Sequence, residues 1–128
     1  MKRIIATPDA PAAIGPYSQA VETNGILFVS GQLPVNPVTG EIPSGIEAQT
    51  RQSLENIMAI LKQAGLGPDN VAKTCVLLQH ISDFAAMNAV YAEFFPADKP
   101  ARVCYEVAAL PKGALVEIDA MPDKQEIG

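Results

Sequence analysis

The chain has 128 residues, enough to bury one hydrophobic core and too few for two. Its 48% hydrophobic and 18% charged residues mark a folded rather than a disordered chain, and a net charge of −5 set against three arginines (Arg3, Arg51, Arg102) leaves no basic stripe for a nucleic-acid backbone. No run approaches membrane-spanning length, and the residues before Pro8 hold too few apolar side chains for a signal peptide.

Ile4-Ile5-Ala6 predicts a short first strand, ended at Thr7-Pro8, after which Pro11, Gly15 and Pro16 hold the chain extended. Tyr17 emerges from that rigid segment, and Tyr17 to Glu22 reads as a strand. Asn24-Gly25 predicts a type I′ hairpin turn, because both residues tolerate positive φ. The return strand, Ile26 to Gly31, is apolar at Ile26, Leu27, Phe28 and Val29, on both of its faces, so its sheet is expected to be covered on both sides. Gly31 leaves the backbone at its end open to close approach. Leu33 to Ser44, with Pro34, Pro37, Gly40 and Pro43, is a loop with a turn at Thr39-Gly40, and its length suggests a role at a site or interface.

A helix is predicted from about Ile46 to Ala64, with Leu54, Ile57, Met58, Leu61 and Ala64 on one apolar face and Gly65 as its stop. Val71 to Gln79 reads as a buried strand. Ser82 or Asp83 can cap a second helix running to about Phe95, with Phe84, Met87, Tyr91 and Phe94 as a core-like face and Asn88 beside it. Two strands joined by a Pro/Gly-containing connection then fill the stretch between Lys99 and Met121, and Pro122 is expected to end the second. The main elements run strand, strand, helix, strand, helix, strand, strand: an α+β single domain with two helices packed on one face of a mixed β-sheet. Two helices cannot cover both faces. A symmetric homo-oligomer would bury the other, with pockets between subunits walled by the terminal strands.

Alternation along a strand sets Arg102 and Cys104 on one face and Val103, Tyr105 and Val107 on the other, while Glu117 falls between Val116 and Ile118. Charges inside such apolar runs call for a partner or a ligand. Arg102 and Glu117 are therefore site candidates, although solvated polar residues or a structural salt bridge would satisfy the same periodicity. The two cysteines, Cys75 and Cys104, lack metal-ligand spacing, and the single His80 cannot complete a Cys/His set. Both read as reduced thiols of a cytoplasmic protein. A nucleophilic Cys104 would need a neighbouring base, and His80 lies at the far end of another strand and reads as a surface residue.

Ala12-Ala-Ile-Gly-Pro-Tyr-Ser-Gln-Ala20, Val29-Ser-Gly-Gln-Leu-Pro-Val-Asn-Pro37, Gln52-Ser-Leu-Glu-Asn-Ile57 and Pro100-Ala-Arg-Val-Cys-Tyr-Glu-Val-Ala-Ala-Leu-Pro111, followed by Val116-Glu-Ile118, closely resemble the RidA (YjgF/YER057c/UK114) family of reactive-intermediate deaminases. The resemblance spans almost the whole chain. It implies a chorismate-mutase-like fold, a homotrimer with pockets between subunits, and hydrolysis of enamines and imines such as 2-aminoacrylate and 2-iminobutanoate to 2-oxo acids and ammonia, with no cofactor. It also implies that Arg102 holds the substrate carboxylate and that Glu117 orients or activates water. Main-chain groups at Cys104 would position the ligand or the water, and Tyr17, Ser30, Gly31 and Asn88 would line the pocket. Tyr17 would reach in from a neighbouring subunit.

Two departures stand out. The loop between Phe95 and Pro100 is a few residues shorter than in many relatives, which bears on the pocket rim, and the ending Met121 to Gly128 replaces a more usual apolar finish. The competing functions are a trimer that binds small 2-oxo or amino acids without chemistry; a chorismate mutase by fold analogy, whose doubly anionic substrate wants several cations; and a ribonuclease, disfavoured by the acidic balance.

Overall fold

Asn24 and Gly25 take positive φ, 50° and 78°, in the computed structural model, which describes residues 1–124. They join β2 (Ala20–Thr23) to β3 (Ile26–Gln32) in antiparallel register, with Thr23 opposite Ile26 and Ala20 opposite Val29. The turn signal read in the sequence is thus realised by the φ > 0 geometry that a two-residue hairpin requires. β1 (Arg3–Ile5) pairs on the outer side of β2. After the 33–45 loop, α1 (Ile46–Gln63) buries Leu54, Ile57 and Leu61 at helical spacing. It ends at a left-handed Gly65, where Leu66 N–H donates to Leu61 O (2.8 Å).

β4 (Val71–Leu78), α2 (Phe84–Phe94), β5 (Ala101–Glu106) and β6 (Val116–Pro122) complete one mixed six-stranded sheet in the order β1-β2-β3-β6-β4-β5. β4 and β5 run parallel because α2 carries the chain back between them, and every other pairing is antiparallel. Burial alternates along the strands: Leu27, Val29, Val76, Leu78, Val116, Ile118 and Ala120 pack with Leu54, Ile57, Ile60, Leu61 and Met87 of the helices. The opposite face carries Phe28 (44% exposed), Val103 (42%) and Tyr105 (49%). Within one chain the two-sided cover expected for β3 is therefore not supplied, since its alternation splits Leu27 and Val29 from Ile26 and Phe28.

Three local expectations are corrected. Tyr17, Ser18 and Gln19 are not part of β2, because Tyr17 N–H turns back onto Gly15 O (2.8 Å) and the buried Gln19 side chain binds Thr7 and Pro11 instead of leaving the segment free to pair. Asp83 occupies the N-cap of α2 without a side-chain capping bond; a 3-10 turn at Ile81–Asp83 leads into the helix. Phe84, read as core, is 39% exposed. Pro122 does close β6, opposite Val71. The rest of the atypical ending, 125–128, lies outside the described residues. Among those described, no helix is long and apolar enough to cross a membrane, and no group of three or more His, Cys, Asp or Glu is clustered for a metal.

Candidate functional site

Strand alternation sends Val116 and Ile118 into the core, so Glu117 leaves β6 on the bare face. There it lines a cavity of about 570 Å³ together with Tyr17, Ser30, Gly31, Asn36 and Lys112. The β3–β6 register shifts between Val29 and Gln32, a bulge that turns Ser30 and Gly31 toward this space. Gly31 is required by contact: a Cβ there would lie 2.9 Å from both Cδ and Oε1 of Glu117. Ser30 is fixed from both ends, its hydroxyl donating to Ser18 O (2.6 Å) and its N–H to Gln19 O (2.9 Å). Tyr17 is 47% exposed, and its hydroxyl oxygen accepts a bond from Ile14 N–H (3.3 Å).

Helix α1 holds the outer wall. Asn56 donates to Leu33 O (3.2 Å) and Val35 O (2.9 Å) while accepting from Gln52 Nε2 (2.9 Å). Gln49 ties Pro43 O to Leu115 N–H, two residues before Glu117. Burial, and secondarily the charge of Asp119, push the Glu117 carboxyl above its ordinary value. Asp119 is itself raised by burial, against the opposing pull of Cys75 N–H (2.9 Å) and Lys73.

Arg102 lies outside this cavity. It leaves β5 on the helix-covered face, where its Nη1 donates to Asn88 Oδ1 (2.6 Å) and its Cζ lies 4.8 Å from the Tyr91 ring centroid and 5.4 Å from that of Phe84. Among the described residues the ion pairs are Arg3–Glu22, Arg51–Glu93 and Lys124–Glu22, so neither Arg102 nor Glu117 has a charged partner, and the salt bridge that periodicity allowed between them is absent. β5 is an edge strand, and Val107 N–H donates inward to Leu78 O. Alternation then turns the main-chain N–H and C=O of Arg102 and Cys104 outward, to the open edge. Burial raises the Cys104 thiol above its ordinary value, with Arg102 pulling the other way, and the exposed His80 is not among its influences. That environment disfavours a thiolate.

The sequence-derived candidates thus divide. Tyr17, Ser30, Gly31 and Glu117 meet in one cavity; Arg102, Asn88 and Cys104 gather at the β5 edge. One chain does not bring the two groups together. The aromatic surroundings of Arg102 escaped the sequence reading, although Phe84, Asn88 and Tyr91 stand at i, i+4 and i+7 on α2, a spacing that marks one helix face.

The sequence model of the family described as Endoribonuclease L-PSP matches residues 7–122. The 2-iminobutanoate/2-iminopropanoate deaminase of Escherichia coli is 50% identical over 124 residues, which span 94% of this chain and 97% of that protein. The solved structure of the E. coli YjgF gene product matches with a TM-score of 0.93 at 48% identity, and that of E. coli TdcF with bound serine with 0.93 at 45%; each match covers 96% of this chain and 99% of the other. The family match takes in the cavity and the β5 edge alike, and the chain belongs to the RidA (YjgF/YER057c/UK114) family.

Proposed function

We propose that this protein hydrolyses reactive imines and enamines, such as 2-iminobutanoate and 2-aminoacrylate, to 2-oxo acids and ammonia, at sites formed between copies of a homotrimer. The observation that carries this reading is the pair of uncompensated charges, Arg102 at an open strand edge and Glu117 in a cavity on the other face. A half-buried charge without a counter-charge is costly unless a ligand or a second copy completes it. Packing the edge of one copy against the cavity of the next would do so, and would cover Val103, Tyr105 and Phe28.

In such a site the Arg102 guanidinium holds the substrate carboxylate through paired donors, helped by the outward main-chain groups of Cys104. An enamine takes a proton at its terminal carbon to become the iminium, and Glu117 takes a proton from water as the water oxygen bonds to the iminium carbon, giving a neutral carbinolamine. Glu117 then gives that proton to the nitrogen, the C–N bond breaks as the hydroxyl oxygen forms the carbonyl, and the hydroxyl proton passes to the carboxylate and leaves with the ammonia, so that water and iminium become 2-oxo acid and ammonium. A carboxyl whose proton affinity is raised by burial suits both directions of transfer. Water, one carboxylate and one guanidinium suffice for this chemistry without a metal or other cofactor.

The competing reading is a trimer that captures small amino or 2-oxo acids without chemistry, favoured by the serine bound to TdcF. The two separate on turnover. With a dehydratase generating the enamine, 2-oxo acid release is expected to be faster than spontaneous hydrolysis, and release at the spontaneous rate would overturn the enzyme reading. Shared sites are tested by co-assembling two inactive variants, Arg102→Met and Glu117→Gln. Random mixing regenerates about a quarter of the sites if each is built from two copies, and none if each lies within one chain.

A further inference from the structure

We infer that Tyr91 is a positioning residue for the Arg102 guanidinium and that Thr74 fixes it through their paired hydroxyls. The inference rests on the proposed role of Arg102 in binding a small 2-oxo carboxylate. Thr74 Oγ1 and Tyr91 Oη are 2.7 Å apart, and the two residues are 1% and 7% exposed. Thr74 is also the Cα partner of Arg102 in the β4–β5 ladder. The contacts therefore close a ring: the ladder sets Thr74 beside Arg102, the hydroxyl of Thr74 holds that of Tyr91, and the Tyr91 ring lies 4.8 Å from the guanidinium carbon. A second restraint on that ring comes from Phe95, with centroids 4.8 Å apart and planes at 44°.

Packing alone does not call for this pair. Two buried hydroxyls replaced together by apolar groups of similar shape are often nearly neutral for a fold, so a Val and a Phe would serve a core as well. What the hydroxyls add is a fixed attitude for the ring, and with it for the planar fork above. Asn88 takes one donor of Nη1, and the half-exposed Phe84 stands on the solvent side. A bidentate grip on a carboxylate depends on the plane of the guanidinium as well as on its charge.

The test measures calorimetric binding of 2-oxobutanoate, kcat and KM for an enamine donor, and thermal melting for Tyr91→Phe, Thr74→Val, their combination and Thr74→Ser. Each of the first two is expected to weaken binding and raise KM about 2- to 10-fold, the value of one hydrogen bond, with kcat largely kept. The combination is expected to lose no more than either alone, and Thr74→Ser to bind like the wild type. Unchanged affinity with a lowered melting temperature, or additive losses, would overturn the inference. Arg102→Met measured alongside separates the two levels: if it binds 2-oxobutanoate as well as the wild type, the role proposed for Arg102 is at fault.

Discussion

Arg102 and Glu117 stand on the two strands that flank β4, opposite Thr74 and Leu77, and their side chains leave the sheet on opposite faces. The thickness of the sheet separates them, and the proposed site draws them from different copies.

Glu117→Gln keeps the shape of the side chain and removes its basicity. Turnover is expected to fall about 10²- to 10⁴-fold while affinity for 2-oxobutanoate stays close to wild type. The same change is expected to raise the melting temperature at neutral pH. Because the carboxyl is raised on folding, the folded chain holds its proton more tightly than the unfolded one, so the group favours folding most below the ordinary carboxylate range and less as pH rises through it. Glutamine does not titrate. Equal loss of affinity and turnover would reassign Glu117 to pocket assembly.

Asp119→Asn preserves an oxygen for Cys75 N–H while deleting the charge that adds to the rise at Glu117. The acid limb of the kcat profile is expected to move to lower pH. A limb that stays in place would mean that another group sets it.

Gly31→Ala introduces a methyl 2.9 Å from the end of the Glu117 side chain, at a position whose φ is not in the left-handed region. Backbone strain is not expected, and the carboxyl has to move. Since a displacement of about 1 Å at a reacting group can cost up to about 100-fold, turnover should drop by tenfold or more in a chain that melts like the wild type. Kinetics and melting on the same preparation check this.

Arg102→Lys retains the charge and loses the planar fork. Its kcat/KM for an enamine donor is expected to fall about 10- to 100-fold with the fold intact, the value of a charge-assisted bond or two. Near-normal turnover would remove Arg102 from the site.

Cys104→Ser is expected to retain most of its turnover, because the groups offered at this position are main-chain ones. A covalent adduct on the sulfur, detected by mass spectrometry, would reinstate a thiol mechanism.

Much of the scaffold was legible because its signals are local. Asn24-Gly25 and Gly65 mark positive φ, and Leu54, Ile57 and Leu61 recur at helical spacing. Tyr17 to Gln19 misled because the sequence alternates plausibly there, while Gln19 spends its amide on bonds to Thr7 and Pro11 that no local pattern announces. The pairing of Arg102 with Cys104 on one face followed from alternation within β5. Which face the helices cover, and that Glu117 lies on the other, depends on register across β4, and register is a property of three strands rather than one. Phe84 escaped for a similar reason: its spacing is that of a core residue, and only the position of Arg102 on β5 makes it a rim residue.

The open edge at β5 has a further consequence for the life of the chain before assembly. Sheet margins are ordinarily guarded against stray strand addition by a bulge, a proline or an inward charge. At β5 the guard is the inward charge of Arg102, since a bulge or a proline would consume the outward main-chain groups of Arg102 and Cys104, while Val103 and Tyr105 add apolar surface beside them. In the proposed trimer a newly made chain would carry a thinly guarded template for cross-β pairing until another copy covered it. Changes that only loosen the proposed trimer are expected to appear first as concentration-dependent precipitation, ahead of any loss measured in dilute assays.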